Sequence, residues 1–266
     1  MCGFAGFTGT DENSQLILNN MMNQIIHRGP DSEGTYIDPH VAFGFRRLSI
    51  IGLEDGSQPM FNEDRSLVLI FNGEIYNYQS FKEELQNKGH IFCNSSDSEV
   101  LLHAYEEYGT DMLNLLRGMF AFAIFDTKDE TLFVARDFFG IKPFYYTLQD
   151  NQFIFGSEIK SILEHPSYEK KVNLEALETY LSFQCSVLQE TFFKGIYKLP
   201  PAHYGIFKDN KFTMHRYWEP KFEEVDMPYE EAVDKIDETI QEFIQTHKIS
   251  DVEVGSFLSS GVDSSY

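Results

Sequence analysis

The chain has 266 residues, 42% hydrophobic and 15% aromatic, which suits one large domain or one domain with part of a second and excludes a disordered polymer. Forty-two acidic against 21 basic side chains leave a formal charge of −21, which repels nucleic-acid phosphates and anionic membrane surfaces, so neither is an expected partner. No run nears about 18 uninterrupted apolar residues, the first residues lack the regions of a signal peptide, and Cys2, Cys93 and Cys185 form neither a disulfide framework nor a CxxC metal motif. A reducing cytoplasm and no bound metal are the expectations.

In chain order, residues 3–9 (GFAGFTG) predict a strand entering a glycine turn. Residues 11–29 predict a helix with Leu16, Ile17, Met21 and Ile25 on its apolar face, Thr10 or Asp11 as cap and Gly29 as stop. RGPDSEG (28–34) predicts a loop. Residues 41–50 and 66–73 predict strands separated by the turn-rich 52–65, and 77–89 and 97–109 predict amphipathic helices, the first ending at Gly89 and the second opening at Ser95-Ser96-Asp97. Four short strands at 118–126, 131–137, 143–148 and 152–157 look like one meander with a heavily buried face. Short helices at 158–164 and 173–183 and a hairpin at 202–218 follow. Residues 219–228 are acidic, carry two prolines and predict a linker; 230–248 predict a helix, and 251–266 a strand running into a Ser/Gly loop. Many short strands with helices gathered in separate runs predict an α+β layered sandwich, with strand–helix alternation only at the C-terminal end.

The opening MCGFAGF places a cysteine at position 2. Removal of Met1 gives Cys2 a thiol with an ordinary pKa of about 8.5 and an α-amine near about 8 on one residue, so nucleophile and base are held together by covalent bonds. If Met1 stays, the amine is an amide and no base. Six further stretches accompany this start: HRGPD (27–31), RRLSI (46–50), FNGEIYNY (71–78), SSDSEV (95–100), RDFFGIKPFYY (136–146) and GSEIKSIL (156–163).

Taken together and in this order, over roughly residues 2–218, they resemble the class II glutamine amidotransferases, which are N-terminal-nucleophile hydrolases, and within them the glutaminase half of glutamine-dependent asparagine synthetases. The resemblance implies a four-layer αββα sandwich of antiparallel sheets. It also implies that Cys2 attacks the side-chain amide of glutamine, with the Asn72 side chain and the Gly73 N–H holding the oxyanion. Read alone, Asn72-Gly73 is a hairpin-turn signal. Arg47 matches the residue that grips the α-carboxylate, Asp97 the one that pairs with the α-ammonium, Glu74 a second acidic contact, and the 47–51 backbone (Arg47, Leu48, Ser49, Ile50, Ile51) lines the pocket in relatives. Arg46 reads as a surface residue, and Asp97 alone reads as a helix cap. His27 reads as a loop or packing histidine because the amine already serves as base. Cys93 and Cys185 read as structural, and Asp137, Lys142 and Glu158 as in-fold ion pairing and packing.

SFLSSGVDSS (256–265) resembles the S-G-G-x-D-S loop of ATP pyrophosphatases, with Ser259, Gly261, Asp263 and Ser264 in place and Ser260 where glycine is usual. The resemblance therefore implies domains at 2–218, a linker at 219–228 and, at 229–266, the start of an α/β ATP-pyrophosphatase (synthetase) domain that stops early. No cofactor is implied for glutamine hydrolysis. ATP and Mg2+ are implied for the synthetase domain, where adenylated aspartate would accept the ammonia, and family members are often dimers. Two alternatives stay open: an amidotransferase of this architecture whose acceptor is not free aspartate, and a glutamine-binding module without turnover.

Overall fold

A computed structural model describes residues 2–53, 55–184 and 187–265. Its strands are β1 (Gly3–Thr8), β2 (Ser32–Ile37), β3 (Val41–Arg47), β4 (Met60–Phe61), β5 (Leu67–Ile75), β6 (Gly118–Asp126), β7 (Thr131–Arg136), β8 (Tyr145–Gln149), β9 (Gln152–Gly156), β10 (Tyr197–Lys198), β11 (His203–Lys208) and β12 (Lys211–Arg216). Its helices are α1 (Ser14–Asn23), α2 (Tyr78–Asn87), α3 (Ser98–Tyr108), α4 (Ile159–Ile162), α5 (Leu174–Phe183), α6 (Tyr229–His247) and α7 (Val262–Ser265). Two six-stranded sheets form, ordered β10-β8-β9-β1-β3-β2 and β12-β11-β7-β6-β5-β4.

Alternate strand residues face opposite ways, and here both faces of the central strands are apolar, so each sheet is covered twice. Phe4, Phe43, Phe45, Phe153 and Phe155 of the first sheet meet Val68, Ile70, Ala121, Ala123, Phe125 and Val134 of the second between the sheets. On its other side the first sheet packs Ala5, Phe7, Ala42 and Ile154 against Leu18, Met21, Met22 and Ile25 of the α1 segment and Ile162 of α4. The second sheet packs Leu69, Phe71, Phe120, Phe122 and Ile124 against Phe81 and Leu85 of α2 and Val100, Leu101 and Ala104 of α3. Three apolar interfaces between four layers make the αββα sandwich.

Four expected elements differ. The first helix ends at Asn23 and passes into a 3-10 turn at Ile26–Arg28; Leu16 is 62% exposed, and the buried stripe is Leu18, Met21, Met22 and Ile25, spaced i, i+3, i+4, i+7. Residues 32–37 form an edge strand on β3; with one side paired and little of it buried, it has no need of an apolar alternation. The expected meander is two hairpins in different sheets: β6–β7 belongs to the second, β8–β9 to the first, and the chain crosses between them at 137–144. Residues 251–258 form no strand among the described residues, and Phe257 and Leu258 are exposed: a strand exists through its pairing, and this segment has no pairing partner here. No helix among the described residues is long and apolar enough to cross a membrane.

Candidate active site

Cys2 immediately precedes β1, an interior strand of the first sheet. Arg28 Nε donates to the Cys2 carbonyl at 2.9 Å, and Glu158 holds Arg28 Nη1 at 3.1 Å, so an ion pair 130 residues apart in sequence positions the residue. Ser157 ties down the next turn of chain, accepting from Phe4 N at 3.0 Å. Cys2 Sγ lies 3.3 Å from the Leu48 N–H that donates to it and 3.4 Å from Leu48 O. Burial pushes the thiol pKa up and outweighs the Leu48 N–H, which pulls it down. The thiol at rest is therefore protonated at neutral pH and needs a base before it can attack.

The facing wall is β5. On this strand Val68 and Ile70 point between the sheets, whereas Leu69 and Phe71 face the helices. By the same alternation Asn72 and Glu74 project into the sandwich, on the side where Cys2 packs. Asn72 is 1% exposed, and its Nδ2 has no hydrogen-bond partner. A buried amide donor left unpaired costs stability, and it is the property wanted of a donor waiting for a charge that develops only during reaction.

The backbone of β5 supplies the second donor by parity. Phe120 of β6 directs its N–H and C=O to Asp137, so its cross-strand neighbour Gly73 receives no ladder bond from it. The backbone groups of Phe71, Gly73 and Ile75 thus point along the opposite edge of β5, beyond the end of β4. Gln58 closes that edge at Phe71, accepting from its N–H at 2.6 Å and donating to its carbonyl at 3.2 Å; Asp97 closes it at Ile75, accepting at 2.8 Å. Between them the Gly73 N–H faces a pocket that Gly73 lines. A Cβ at Gly73 would meet Met119 O at 2.2 Å, so only glycine keeps the strand this close to β6.

The pocket contains about 510 Å3 of empty space, part of it open to solvent, and is lined by Cys2, Arg47, Leu48, Ile50, Ile51, Asn72, Gly73, Glu74 and Asp97. Ser49 is the one residue of the expected glutamine set outside this lining; its N–H is tied to Asp31 Oδ2 at 2.8 Å. Gln58, Phe71, Ser98, Gly56 and Lys142 complete the wall. Lys142, expected to serve packing and in-fold pairing, is thus a pocket residue. Burial lowers its pKa, opposed by Glu74 and Cys2.

Two acids share this space. Burial lifts Asp97 to about 7, with Glu74 adding to the rise and the Ile75 N–H opposing it. Glu74 is also raised by burial, with Lys142 pulling the other way. Asp97 stands at the N-cap position of α3 without capping it, because its carboxylate is spent on Ile75. Arg47, 7% exposed, donates to the carbonyls of Leu53, Ile51 and Gly52, and so shapes the loop as well as lining the pocket.

Residues beyond the expected linker return to this loop. Asp251 donates its N–H to Ile50 O at 3.0 Å and accepts from Gly52 N at 2.8 Å, and the His247 ring lies 3.9 Å from that of Tyr76. Nothing in the local sequence at 247–251 signals this contact. His27 binds Glu158 at 2.8 Å and is absent from the pocket lining, and Glu158 also pairs with Arg28 and Lys160. Asp137 accepts from the N–H groups of Phe139, Ile141 and Lys142, stapling the sheet crossover through backbone hydrogen bonds. Cys93 is exposed and its N–H donates to Glu99, while Cys185 lies outside the described residues. In the C-terminal loop the hydroxyls of Ser259 and Ser264 are 2.7 Å apart, Ser259 Oγ accepts from Gly261 N at 3.1 Å, and Ser260 is exposed; the side chain of Asp263 lies outside the described residues. This hydroxyl and amide donor set fits a phosphate by its chemistry.

Residues 1–218 match the family described as glutamine amidotransferase domain, and 235–266 match asparagine synthase. The chain is 43% identical over 272 residues to asparagine synthetase [glutamine-hydrolyzing] 1 of Bacillus subtilis (strain 168), covering 100% of this chain and 43% of that protein. It is 38% identical over 274 residues to asparagine synthetase [glutamine-hydrolyzing] 3 of the same organism, covering 100% of this chain and 44% of the relative. The chain thus spans less than half the length of both relatives. The solved glutamine phosphoribosylpyrophosphate amidotransferase from B. subtilis shares the fold, with a TM-score of 0.60 at 21% identity over 81% of this chain and 49% of that one.

Proposed function

The chain belongs to the glutamine amidotransferase domain family, and from that premise we propose that it hydrolyses glutamine to glutamate and ammonia through a thioester on Cys2, in the glutaminase half of a glutamine-hydrolysing asparagine synthetase. The observation that carries this reading is the meeting, in one pocket, of the Cys2 thiol with a buried unpaired donor, Asn72 Nδ2, and the open backbone edge at Gly73.

Each step has a group. With Met1 removed, the α-amine of Cys2 takes the thiol proton, which the raised thiol pKa makes necessary. Sγ attacks the side-chain carbonyl carbon, and the resulting oxyanion receives Asn72 Nδ2–H and Gly73 N–H. The C–N bond breaks, the ammonium returns its proton to the departing nitrogen, and ammonia leaves a thioester. Water, deprotonated by the same amine, then adds to the thioester, and glutamate departs with the thiol restored. Asp97 and Glu74 receive the substrate's α-ammonium and Arg47 its α-carboxylate. When bound, ATP would supply an activated carboxylate on aspartate as acceptor for the ammonia, with Mg2+ among its phosphates. Ser259, Gly261 and Ser264 would hold those phosphates. Charge and the lack of a spanning helix among the described residues agree with a protein that works in the cytoplasm without nucleic acid, and a dimer is compatible with the reading.

Intact-mass analysis after incubation with a glutamine-mimicking alkylator tests the premise. The expected product lacks Met1 and carries one adduct, on Cys2. A protein that keeps Met1 and still releases ammonia at full rate overturns the mechanism.

Asp97 makes glutamine binding depend on pH. Its carboxyl, raised to about 7 in the free protein, must be ionised to pair with an ammonium, so binding releases a proton. Affinity rises with pH up to about 7 and falls by up to about tenfold per unit below it. Calorimetry in buffers of different ionisation enthalpy reads the proton release directly. Because a raised carboxylate pKa withdraws stability as pH climbs from the ordinary value near about 4 to the folded value, Asp97→Asn gains stability at pH 8, on the order of 4 kcal/mol, and none at pH 4. The same substitution removes the share of the pH dependence that Asp97 contributes, leaving that of Glu74, and weakens binding itself.

A further inference from the structure

On the far side of α3 from the glutamine pocket, two histidines and two glutamates converge from three separate segments. Glu63 lies in the turn after β4, His90 just beyond the end of α2, and His103 and Glu106 on α3. One ligand atom from each of Glu63, His90 and His103 lies within 4.8 Å of the others. His103 Nδ1 is 3.7 Å from Glu63 Oε2 and 3.2 Å from Glu106 Oε2, and His90 Nδ1 is 3.7 Å from that same Glu106 oxygen. Tetrahedral ligands around Zn2+ sit roughly 3.3 Å apart, given metal–ligand bonds near about 2.0–2.1 Å, so closing this set needs only small side-chain movements.

The outer contacts are more telling than the distances. Each of the four side chains has its remaining polar atom placed near another group, so the atoms directed inward are the ones that meet one another, and His103 Nδ1 shares a hydrogen bond with Glu106 Oε2 that a cation would replace. Glu63 Oε1 accepts from Ile91 N at 3.0 Å, and Glu106 Oε1 accepts from Asn62 Nδ2 at 2.8 Å. His90 Nε2 faces Glu107 Oε2 at 3.4 Å. His103, with 0% exposure, turns Nε2 toward Glu99 Oε1 at 3.8 Å, and that atom makes no hydrogen bond of its own. Glu99 is itself fixed by the N–H groups of Cys93 and Asn94 at 2.8 and 3.0 Å. A carboxylate behind the distal nitrogen of an imidazole is the arrangement that orients a metal-binding histidine.

We propose that Glu63, His90 and His103, with Glu106 as the fourth donor, bind a divalent transition-metal cation, Zn2+ being the best match to two imidazoles and carboxylates. The cation would cross-link the β4–β5 turn, the end of α2 and the middle of α3. Asp97 and Ser98, which line the glutamine pocket, begin that same α3, so the site is structural and stiffens the pocket's wall from behind.

The test uses the full chain with Cys2→Ala, Cys93→Ser and Cys185→Ser, so that no thiol competes for metal. After dialysis against ZnCl2 and removal of excess, metal analysis is expected to show one Zn2+ per chain, Co2+ to give the visible absorption of a tetrahedral site, and Tm to rise with Zn2+ concentration. His90→Ala and Glu63→Gln, both at partly exposed positions, each weaken Zn2+ binding at least tenfold by calorimetry while the metal-free proteins retain the parent Tm within a few degrees. His103→Gln removes binding, but its full burial makes it the less safe variant. No stoichiometric uptake, or uptake that neither His90→Ala nor Glu63→Gln weakens, overturns the proposal.

Discussion

Cys2→Ala is expected to lower ammonia release from glutamine by at least about 10^4-fold while glutamine still binds. The substitution removes the only atom that attacks. It leaves Arg47, Glu74 and Asp97, the groups facing the substrate's α-carbon, untouched. Structure is spared as well, because Cys2 is held through its carbonyl by Arg28 and the strand that follows it is fixed by the Gly3–Arg46 pairing and by Ser157. Steady-state ammonia assay and calorimetry on the same sample separate the two effects. Turnover near the parent rate in Cys2→Ala ends the assignment; loss of binding together with turnover assigns Cys2 to recognition instead.

Asn72→Ala is expected to lower kcat by about 10^2–10^3-fold with little change in KM. The donor meets its partner only when the carbonyl oxygen gains charge, so ground-state binding does not use it. A second readout distinguishes this from damage to the fold. In the resting protein Nδ2 is buried without a partner, so deleting it removes an unsatisfied group, and Tm is expected to hold or rise. An oxyanion donor is thus a place where function and stability oppose each other. A proportional loss of kcat and Tm would mark Asn72 as structural, and a rise in KM alone would make it a binding contact.

The residues of the site were unequally legible. Cys2, Arg47, Glu74 and Asp97 stand in short motifs whose order along the chain is distinctive. Gln58 and Lys142 are as much part of the wall: Gln58 sits in a turn-rich stretch that no local pattern marks, whereas Lys142 lies within RDFFGIKPFYY (136–146), where its charge suits in-fold pairing as well as a pocket. Ser49 shows the converse, a motif residue whose backbone is drawn to Asp31 and out of the lining. Asp251 could be seen only in three dimensions, because it follows what reads as a separate segment and reaches the pocket loop from about 200 residues away.

By itself the amino-acid sequence placed a candidate nucleophile and, once Met1 is removed, a candidate base on one residue, since a thiol and an amine on Cys2 need no fold to bring them together. It also determined the layered α+β architecture, because doubly apolar strands and one-faced helices each demand cover. Tertiary structure alone decided that Asn72-Gly73 lies inside a strand and not at a turn, that the four-strand run divides between two sheets, and that the β5 backbone edge is left open at Gly73 between Gln58 and Asp97. Propensity and turn chemistry act over a few residues, whereas the register of β5 on β6, and with it the direction of every N–H and side chain on that strand, is set by partners some fifty residues away.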